Sequence, residues 1–335
     1  MKIGVLGAGT WGIALAALLA GNSHDVVVWS AIPSEIDALQ ETGMHKNLPG
    51  AILPKNISYT KDIRDAASSE LILFVVPSSF IRSTTKTIAP YIKDGVIIAS
   101  AAKGIESGTL LTMTDVIDDE LKAQGVQAGY TLAALSGPTH AEEVALGIPT
   151  SIVAACEDEA VSMRIADAFS NSCLRAYTNT DVLGVEISGA MKNIIALAAG
   201  INNGMGLGDN TKAMLMTRGI AEITRLGLAM GCKRRTFMGL AGIGDLIVTC
   251  TSRHSRNNRC GELIGQGKSY DEASKEIGMV VEGYHALVAA MELSKKYSVE
   301  LPITNAVYNV IHNGITPKEA MHTLMLRDLK SELED

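Results

Sequence analysis

Lys192 and Asn193 stand in the middle of GVEISGAMKNIIALAAG, residues 184–200, a run otherwise nearly all apolar or small that reads as a helix buried on most sides. An ammonium placed there loses several kcal/mol of hydration unless something pairs with it. From these residues alone two readings are open. Lys192 snorkels to solvent along its own stem, as lysines usually do, or it is held inside for chemistry. Ser188, Gly189 and Ala196 are its small neighbours on one helix face and leave room for a ligand to approach.

A second kind of chemistry is written in GAGTWG, residues 7–12, which fits G-x-G-x-x-G directly after a strand pattern and at the opening of a helix. Gly7 permits the tight turn, Gly9 lets backbone approach a pyrophosphate, and Gly12 lets helix and strand close on each other. The helix N-terminus adds unpaired N–H groups and the positive end of its dipole. The following strand, DVVVWS, should end on the residue that reads the adenosine ribose, an acid for a 2′-hydroxyl or an arginine for a 2′-phosphate. It ends in Ser30-Ala31, the first arginine is Arg64, and no carboxylate follows before Glu35. His45 and Lys46 are the nearby cationic candidates in sequence. NAD against NADP stays open on these residues, with weak discrimination and NADH modestly favoured as the expectation.

Three further stretches carry polar groups to places where ligands bind. SAAKGIE (100–106) sets Lys103 just after the run GVIIAS, at the carboxyl edge of a parallel sheet; a solvated loop lysine is the plainer alternative. LSGPTHAEEV (135–144) also follows a strand, brings backbone N–H groups and a hydroxyl to that edge, and opens a helix at about Thr139; its His140 reads as an ordinary histidine. In GLAGIGDLIVTCTSRHSRNNR (239–259), Asp245 lies between glycine turns and an apolar run, a setting that holds a carboxylate for a partner. Arg253, Arg256 and Arg259 follow, interleaved with Ser255, Asn257 and Asn258, an inventory of fork-shaped donors suited to phosphate.

The elements that must position these residues are legible in the rhythm of the chain. Its first half alternates KIGVL, a helix from Trp11 to about Ala20, DVVVWS, LILFVVP, a helix through 80–92, GVIIAS and a helix through about 108–123, the pattern of βαβ units around a parallel sheet. YTLAALSG, PTSIVAAC and LRAYTNTD extend it to about residue 180, after which strand signals nearly vanish and helical spacing dominates. The expectation is a Rossmann-type α/β domain over 1–180 and an all-helical domain over 181–335. The 335 residues exceed what one core usually organises.

Composition narrows the function classes. A formal net charge of −7, with no aromatics interleaved among the arginines, argues against a nucleic-acid binder. Five cysteines without a C-x-x-C pair indicate neither a disulfide framework nor a zinc site, and no metal is expected. MKIGVLGAG starts at once as a strand and lacks the features of a signal peptide. Apolar stretches such as WGIALAALLAG fall short of the roughly 20 residues of a membrane span. A cytoplasmic chain without a transmembrane segment is expected.

Taken in order, GAGTWG, AKGIE, LSGPTHAEE, GVEISGAMKN, GLAGIGDL, TSRHSRN and MVVEG resemble the bacterial NAD(P)-dependent glycerol-3-phosphate dehydrogenases over essentially the whole chain. The resemblance implies interconversion of dihydroxyacetone phosphate and sn-glycerol 3-phosphate for phospholipid synthesis. It also implies a Rossmann domain followed by an all-helical domain of the 6-phosphogluconate-dehydrogenase type, with the active site between them, and a homodimer. By the resemblance, Thr10, Trp11, Ala141, Val280 and Glu282 join the glycine loop in holding NAD or NADP. Lys103, Gly137, Thr139, Asp245, Ser255, Arg256 and Asn257 hold substrate, Lys103 and Arg256 also serving the cofactor side, and Lys192 is the proton-transfer lysine. A ketone reduced by hydride needs a proton donor within about 3 Å of its oxygen, and a partly desolvated ammonium also stabilises the developing charge. Lys103 would assist, and Asp245 would orient or balance the ammonium.

Two departures touch the cofactor side. The family often carries a basic residue after the tryptophan of strand two and a tyrosine before LPG, where this chain has Ser30-Ala31 and Asn47. Two rivals remain: a related dehydrogenase for another small hydroxy acid or phosphate, and a cofactor-sensing protein of the same fold that has lost turnover. The sensor predicts a broken catalytic set, whereas Lys103, Lys192, Asp245 and Arg256 are all present.

Overall fold

Runs of buried β-branched and aliphatic residues form eight strands in a computed structural model of the chain, which describes residues 1–329 together with Ser331 and Glu332. They are β1 (Lys2–Leu6), β2 (Asp25–Trp29), β3 (Ile57–Thr60), β4 (Leu71–Phe74), β5 (Val96–Ser100), β6 (Tyr130–Ser136), β7 (Thr150–Ala155) and β8 (Leu174–Asn179). Their order is β3-β2-β1-β4-β5-β6-β7-β8. Every neighbouring pair is parallel except the antiparallel β6–β7 pair. β4 and β5 are buried at every position, as strands covered on both faces must be. The chain runs outward from β1 to β3 and then returns to the other side of β1 at β4, which makes the carboxyl end of β1 the switch point where open α/β sheets hold ligands.

The helices of this unit are α1 (Thr10–Gly21), α2 (Pro33–Thr42), α3 (Ile63–Ala67), α4 (Ile81–Ile88), α5 (Met113–Ala123), α6 (Ala141–Ala145) and α7 (Glu159–Phe169). Two expectations change. The helix expected over 108–123 begins only at Met113, because Gly108 and Leu110 hold positive φ of 86° and 62° and keep the chain out of the helical region. The strand β3 and the short helices α2 and α3 are additions the hydrophobic rhythm does not announce.

The chain divides into two compact units: Met1–Lys103 with Leu111–Val182, and Gly104–Leu110 with the residues from Leu183 onward. The sequence gives no reason to count 104–110 with the helical unit; in the structure Ile105 is buried in that unit's core. The second unit holds α8 (Val182–Gly204), α9 (Asp209–Ala229), α10 (Arg234–Phe237), α11 (Asp245–Thr251), α12 (Arg256–Gly265), α13 (Tyr270–Ile277), α14 (Glu282–Tyr297), α15 (Pro302–His312) and α16 (Pro317–Met325). α8 is its axis, and every residue from Gly184 to Asn202 is buried. The expectation that no apolar run approaches membrane length needs correcting, since this 23-residue helix passes by length and composition. Yet 89% of its most apolar window is buried within the protein, as in a core helix.

Glycines let the helices around α8 meet backbone to backbone. A Cβ at Gly200 would lie 2.0 Å from the Asn258 carbonyl oxygen, and one at Gly261 would lie 2.2 Å from that of Leu197, so α12 is seated directly on α8. Glu222 of α9 secures α15 in a different way. Its carboxylate accepts from the Ile303 backbone N–H and, at 3.2 Å, from both the N–H and the hydroxyl of Thr304, satisfying donors that the first turn of α15 would otherwise leave unmade.

Burial pushes the Glu222 carboxyl up to about 7, against the pull of those donors and of Arg225. Folding therefore raises its pKa, and its contribution to stability is fullest below the ordinary value of 4.5 and is lost as pH rises through about 7. In thermal melts, the stability of the native protein relative to Glu222→Gln is expected to fall across that window. Parallel melting curves for the two proteins would show that Glu222 does not titrate there.

Candidate functional site

The turn from β1 into α1 is built as its glycines require. Gly7 sits at φ +126°, a conformation open to glycine, and its N–H donates to the Trp29 carbonyl at 2.8 Å, stitching the loop to the end of β2. A Cβ on Gly12 would come within 1.9 Å of the Gly7 carbonyl oxygen, whereas one on Gly9 would meet nothing within 4 Å. Gly9 caps α1 and, being glycine, puts no capping side chain over its first N–H groups. An open backbone face at a helix N-terminus, on the switch point of the sheet, fits the pyrophosphate of a dinucleotide. Trp11 packs on the apolar core beside the loop, and the Thr10 hydroxyl accepts from Asn47 Nδ2 at 3.2 Å.

Farther along the carboxyl edge of the sheet, three expected substrate residues converge. Gly137, at φ +148°, follows β6 and offers its carbonyl to Lys103 Nζ at 3.3 Å and to Thr139 Oγ1 at 3.2 Å. α6 starts at Ala141 rather than at Thr139, with His140 as its capping residue. The intervening Gly-Pro-Thr segment is therefore loop.

In the helical unit, Lys192 does not snorkel. It ion-pairs with Asp245, and the two side chains are only 7% and 2% exposed. Lys192 Nζ also donates to Thr249 Oγ1 at 2.6 Å, while that hydroxyl donates to the Asp245 carbonyl, likewise at 2.6 Å. Thr249 thus fixes the direction of the ammonium from the turn after Asp245. Asp245 opens α11 at the end of a π turn, Leu240–Gly244, that depends on Gly242, where a Cβ would lie 2.0 Å from the Phe237 carbonyl oxygen. A buried charge paired and hydrogen-bonded in this way is held in one geometry. The neighbouring Cys250 thiol is pushed up to about 12, chiefly by burial, which favours its protonated form.

The next residue of α8 organises a second contact. Asn193 Oδ1 accepts from Asn257 Nδ2 at 2.9 Å, and Asn257 Oδ1 accepts from the Gly283 N–H at 2.9 Å. The sequence presents Asn257 as a substrate residue; in the structure its amide braces the start of α12 between α8 and the first turn of α14. Ser255 caps α12 by accepting from the Asn258 N–H at 3.2 Å, which sets the half-buried Arg256 as the first helical residue. Val280 and Glu282 flank Val281, the cap of α14, so they are carried on the element that Asn257 braces.

Residues 2–162 match the family described as NAD-dependent glycerol-3-phosphate dehydrogenase N-terminus, and residues 181–322 match the one described as its C-terminus. The chain belongs to this family. A glycerol-3-phosphate dehydrogenase (NAD(P)+) 2 of Lactobacillus delbrueckii subsp. bulgaricus is 57% identical over 333 residues, covering 99% of both chains. A glycerol-3-phosphate dehydrogenase (NAD(P)+) of Agathobacter rectalis is 48% identical, over 99% of this chain and 97% of that one. The crystal structure of glycerol-3-phosphate dehydrogenase from Coxiella burnetii superposes with a TM-score of 0.91 at 35% identity, covering 97% of this chain and 99% of that one.

The glycerol-3-phosphate dehydrogenase matches enclose all the clusters described above. The glycine loop, Lys103, Gly137, Thr139 and Ala141 fall in the first, and Lys192, Asp245, Arg256, Asn257 and Glu282 in the second.

Thr249 and Asn193 are the polar groups of the site to which the sequence assigns no role. The signal for Thr249 was its spacing of one helical turn from Asp245 in DLIVT; for Asn193 it was adjacency to Lys192.

Proposed function

We propose that the protein is an NAD(P)-dependent glycerol-3-phosphate dehydrogenase that reduces dihydroxyacetone phosphate to sn-glycerol 3-phosphate, the precursor of glycerophospholipids, with Lys192 as the proton donor. The observation that carries this reading is the buried Lys192–Asp245 pair with Thr249 on the same ammonium. When bound, the nicotinamide dinucleotide supplies the hydrogen and electron pair that reach the ketone carbon. The chain's own residues do the rest. Lys192 Nζ gives a proton to the oxygen as negative charge gathers there, and Asp245 keeps the ammonium charged and oriented until that moment. Arg256, with Ser255 and Asn257 around it, binds the phosphate, and Lys103, Gly137 and Thr139 position the carbon chain. The glycine loop, with Thr10 and Trp11, Ala141, Val280 and Glu282, holds the dinucleotide. A cytoplasmic homodimer accords with this reading.

Spectrophotometric oxidation of NADH and of NADPH with dihydroxyacetone phosphate tests it. Turnover that requires this substrate supports the enzyme. Dinucleotide binding without consumption would turn the reading to a cofactor sensor, and turnover with another small keto acid or phosphate would turn it to a different dehydrogenase.

A further inference from the structure

β2 lacks an acid at its last position, yet the fold returns one to that place. Ser30, only 5% exposed, follows β2 directly. Its hydroxyl accepts from the Ile32 N–H at 3.1 Å and donates to Glu35 Oε2 at 2.6 Å. Glu35 belongs to the first turn of α2, so the short crossing from β2 into α2 folds the carboxylate back onto the strand end, and Ser30 holds it there. The same strand end is tied to the glycine loop through Trp29 and Gly7.

The other side of this corner comes from the segment after α2. His45 lies close enough to Glu35 to feel its charge and close enough to Ala8 of the glycine loop to hydrogen-bond the Ala8 carbonyl when protonated. Burial is the largest influence on the imidazole and lowers its pKa, so at neutral pH the ring is uncharged. Its Nδ1 accepts from the Asn47 N–H at 3.2 Å, and the Asn47 side chain in turn reaches Thr10. The corner therefore presents one anchored carboxylate and a neutral imidazole, with exposed Lys46 as the cation beside His45. Ala31 offers no fork of donors.

We propose that Glu35, pinned by Ser30, is the ribose reader of this protein: Oε1 accepts from the 2′-hydroxyl of NAD, and the carboxylate repels the 2′-phosphate of NADP, making the chain strongly selective for NAD. This rests on the dinucleotide reading of the glycine loop and replaces the weak discrimination expected from Ser30-Ala31 alone. The physics is a difference of affinities: a hydroxyl is a donor that a carboxylate satisfies, whereas a phosphate is an acceptor carrying nearly two negative charges.

Isothermal titration of NAD+ and NADP+ into the native protein, Glu35→Gln and Ser30→Ala tests the proposal, with kcat/KM for NADH and NADPH as a parallel readout. The native protein is expected to bind NAD+ at least about 100-fold more tightly than NADP+, like-charge contact being the discriminating element. Glu35→Gln keeps the shape and removes the charge, so it should cut that ratio about tenfold, chiefly by improving NADP+ binding. Ser30→Ala should move the ratio in the same direction by less. The two cofactors differ only in the 2′-phosphate, so a merely structural role for Glu35 would change both affinities together and leave the ratio in place. An unmoved ratio with intact NAD+ binding, or a native protein that favours NADP+, overturns the role of Glu35 alone. Absence of binding by either dinucleotide to the folded native protein overturns the glycine-loop reading and this proposal with it.

Discussion

Replacing Lys192 with methionine is expected to lower kcat by at least about 10²-fold while NAD+ binding stays within a few-fold of the native value, because a proton donor acts chiefly in the transition state. Methionine keeps the length and apolar stem of the side chain and removes the ammonium. The structure adds a consequence that the sequence alone does not contain. Asp245, 2% exposed, would be left as a buried carboxylate without its counter-charge, and breaking such a pair costs about 3–5 kcal/mol. Lys192→Met should therefore also melt at a lower temperature. The double variant Lys192→Met/Asp245→Asn removes the stranded charge, so it should regain much of the stability and none of the turnover. Stopped-flow turnover beside calorimetric melting separates the two effects. Near-normal kcat in folded Lys192→Met, or turnover that returns with stability in the double variant, would remove Lys192 from the mechanism.

What the sequence made legible was local. The glycine loop is readable because its three glycines, the strand before and the helix after all lie between Lys2 and Gly21, with Gly7 needed for its φ and Gly12 for the close approach to the Gly7 carbonyl. The strands buried on both faces are readable as continuous apolar runs. The edge strand β3 escaped because its four residues are half polar and short, and the late start of α5 escaped because a positive φ at a leucine leaves no mark on hydrophobic periodicity.

What the sequence leaves open within the site has a common cause, which is that partners are brought from elsewhere. Lys192 poses a question on its own helix, and the answer stands 53 residues away at the start of α11. Asn257 reads in the sequence as a substrate residue only, and the structure adds that its amide also joins Asn193 to the Gly283 N–H. The strand end reads as Ser30-Ala31 with no acid of its own, and the structure adds that the Glu35 carboxylate reaches Ser30 from the next helix, five residues on. α8 is long and apolar enough to pass as a membrane span, and its burial in the helical core agrees with the buried helix expected over residues 184–200.

Arg256→Ala is expected to reduce kcat/KM for dihydroxyacetone phosphate by roughly tenfold to more than 100-fold, the kinetic equivalent of the ~1.5–3 kcal/mol carried by charge-assisted bonds to a phosphate. The setting supports an anion-binding role in two ways. Arg256 is the first residue of the ten-residue helix α12, where the helix dipole adds to its guanidinium. Its backbone is fixed on one side by the Ser255 cap and on the other by Asn258, whose side chain donates to the Cys250 carbonyl at 2.9 Å. Because the side chain is half-buried and the braces are made by its neighbours, its removal should leave the melting temperature nearly unchanged. Arg256→Lys keeps the charge and loses the planar fork, so it should fall between the two. The diagnostic comparison is with unphosphorylated dihydroxyacetone: its slow reduction should change far less than that of the phosphate ester, since the lost contact is to a group it lacks. Equal proportional losses on both substrates, measured at saturating cofactor, would mean that Arg256 serves the reaction centre or the dinucleotide instead of the phosphate.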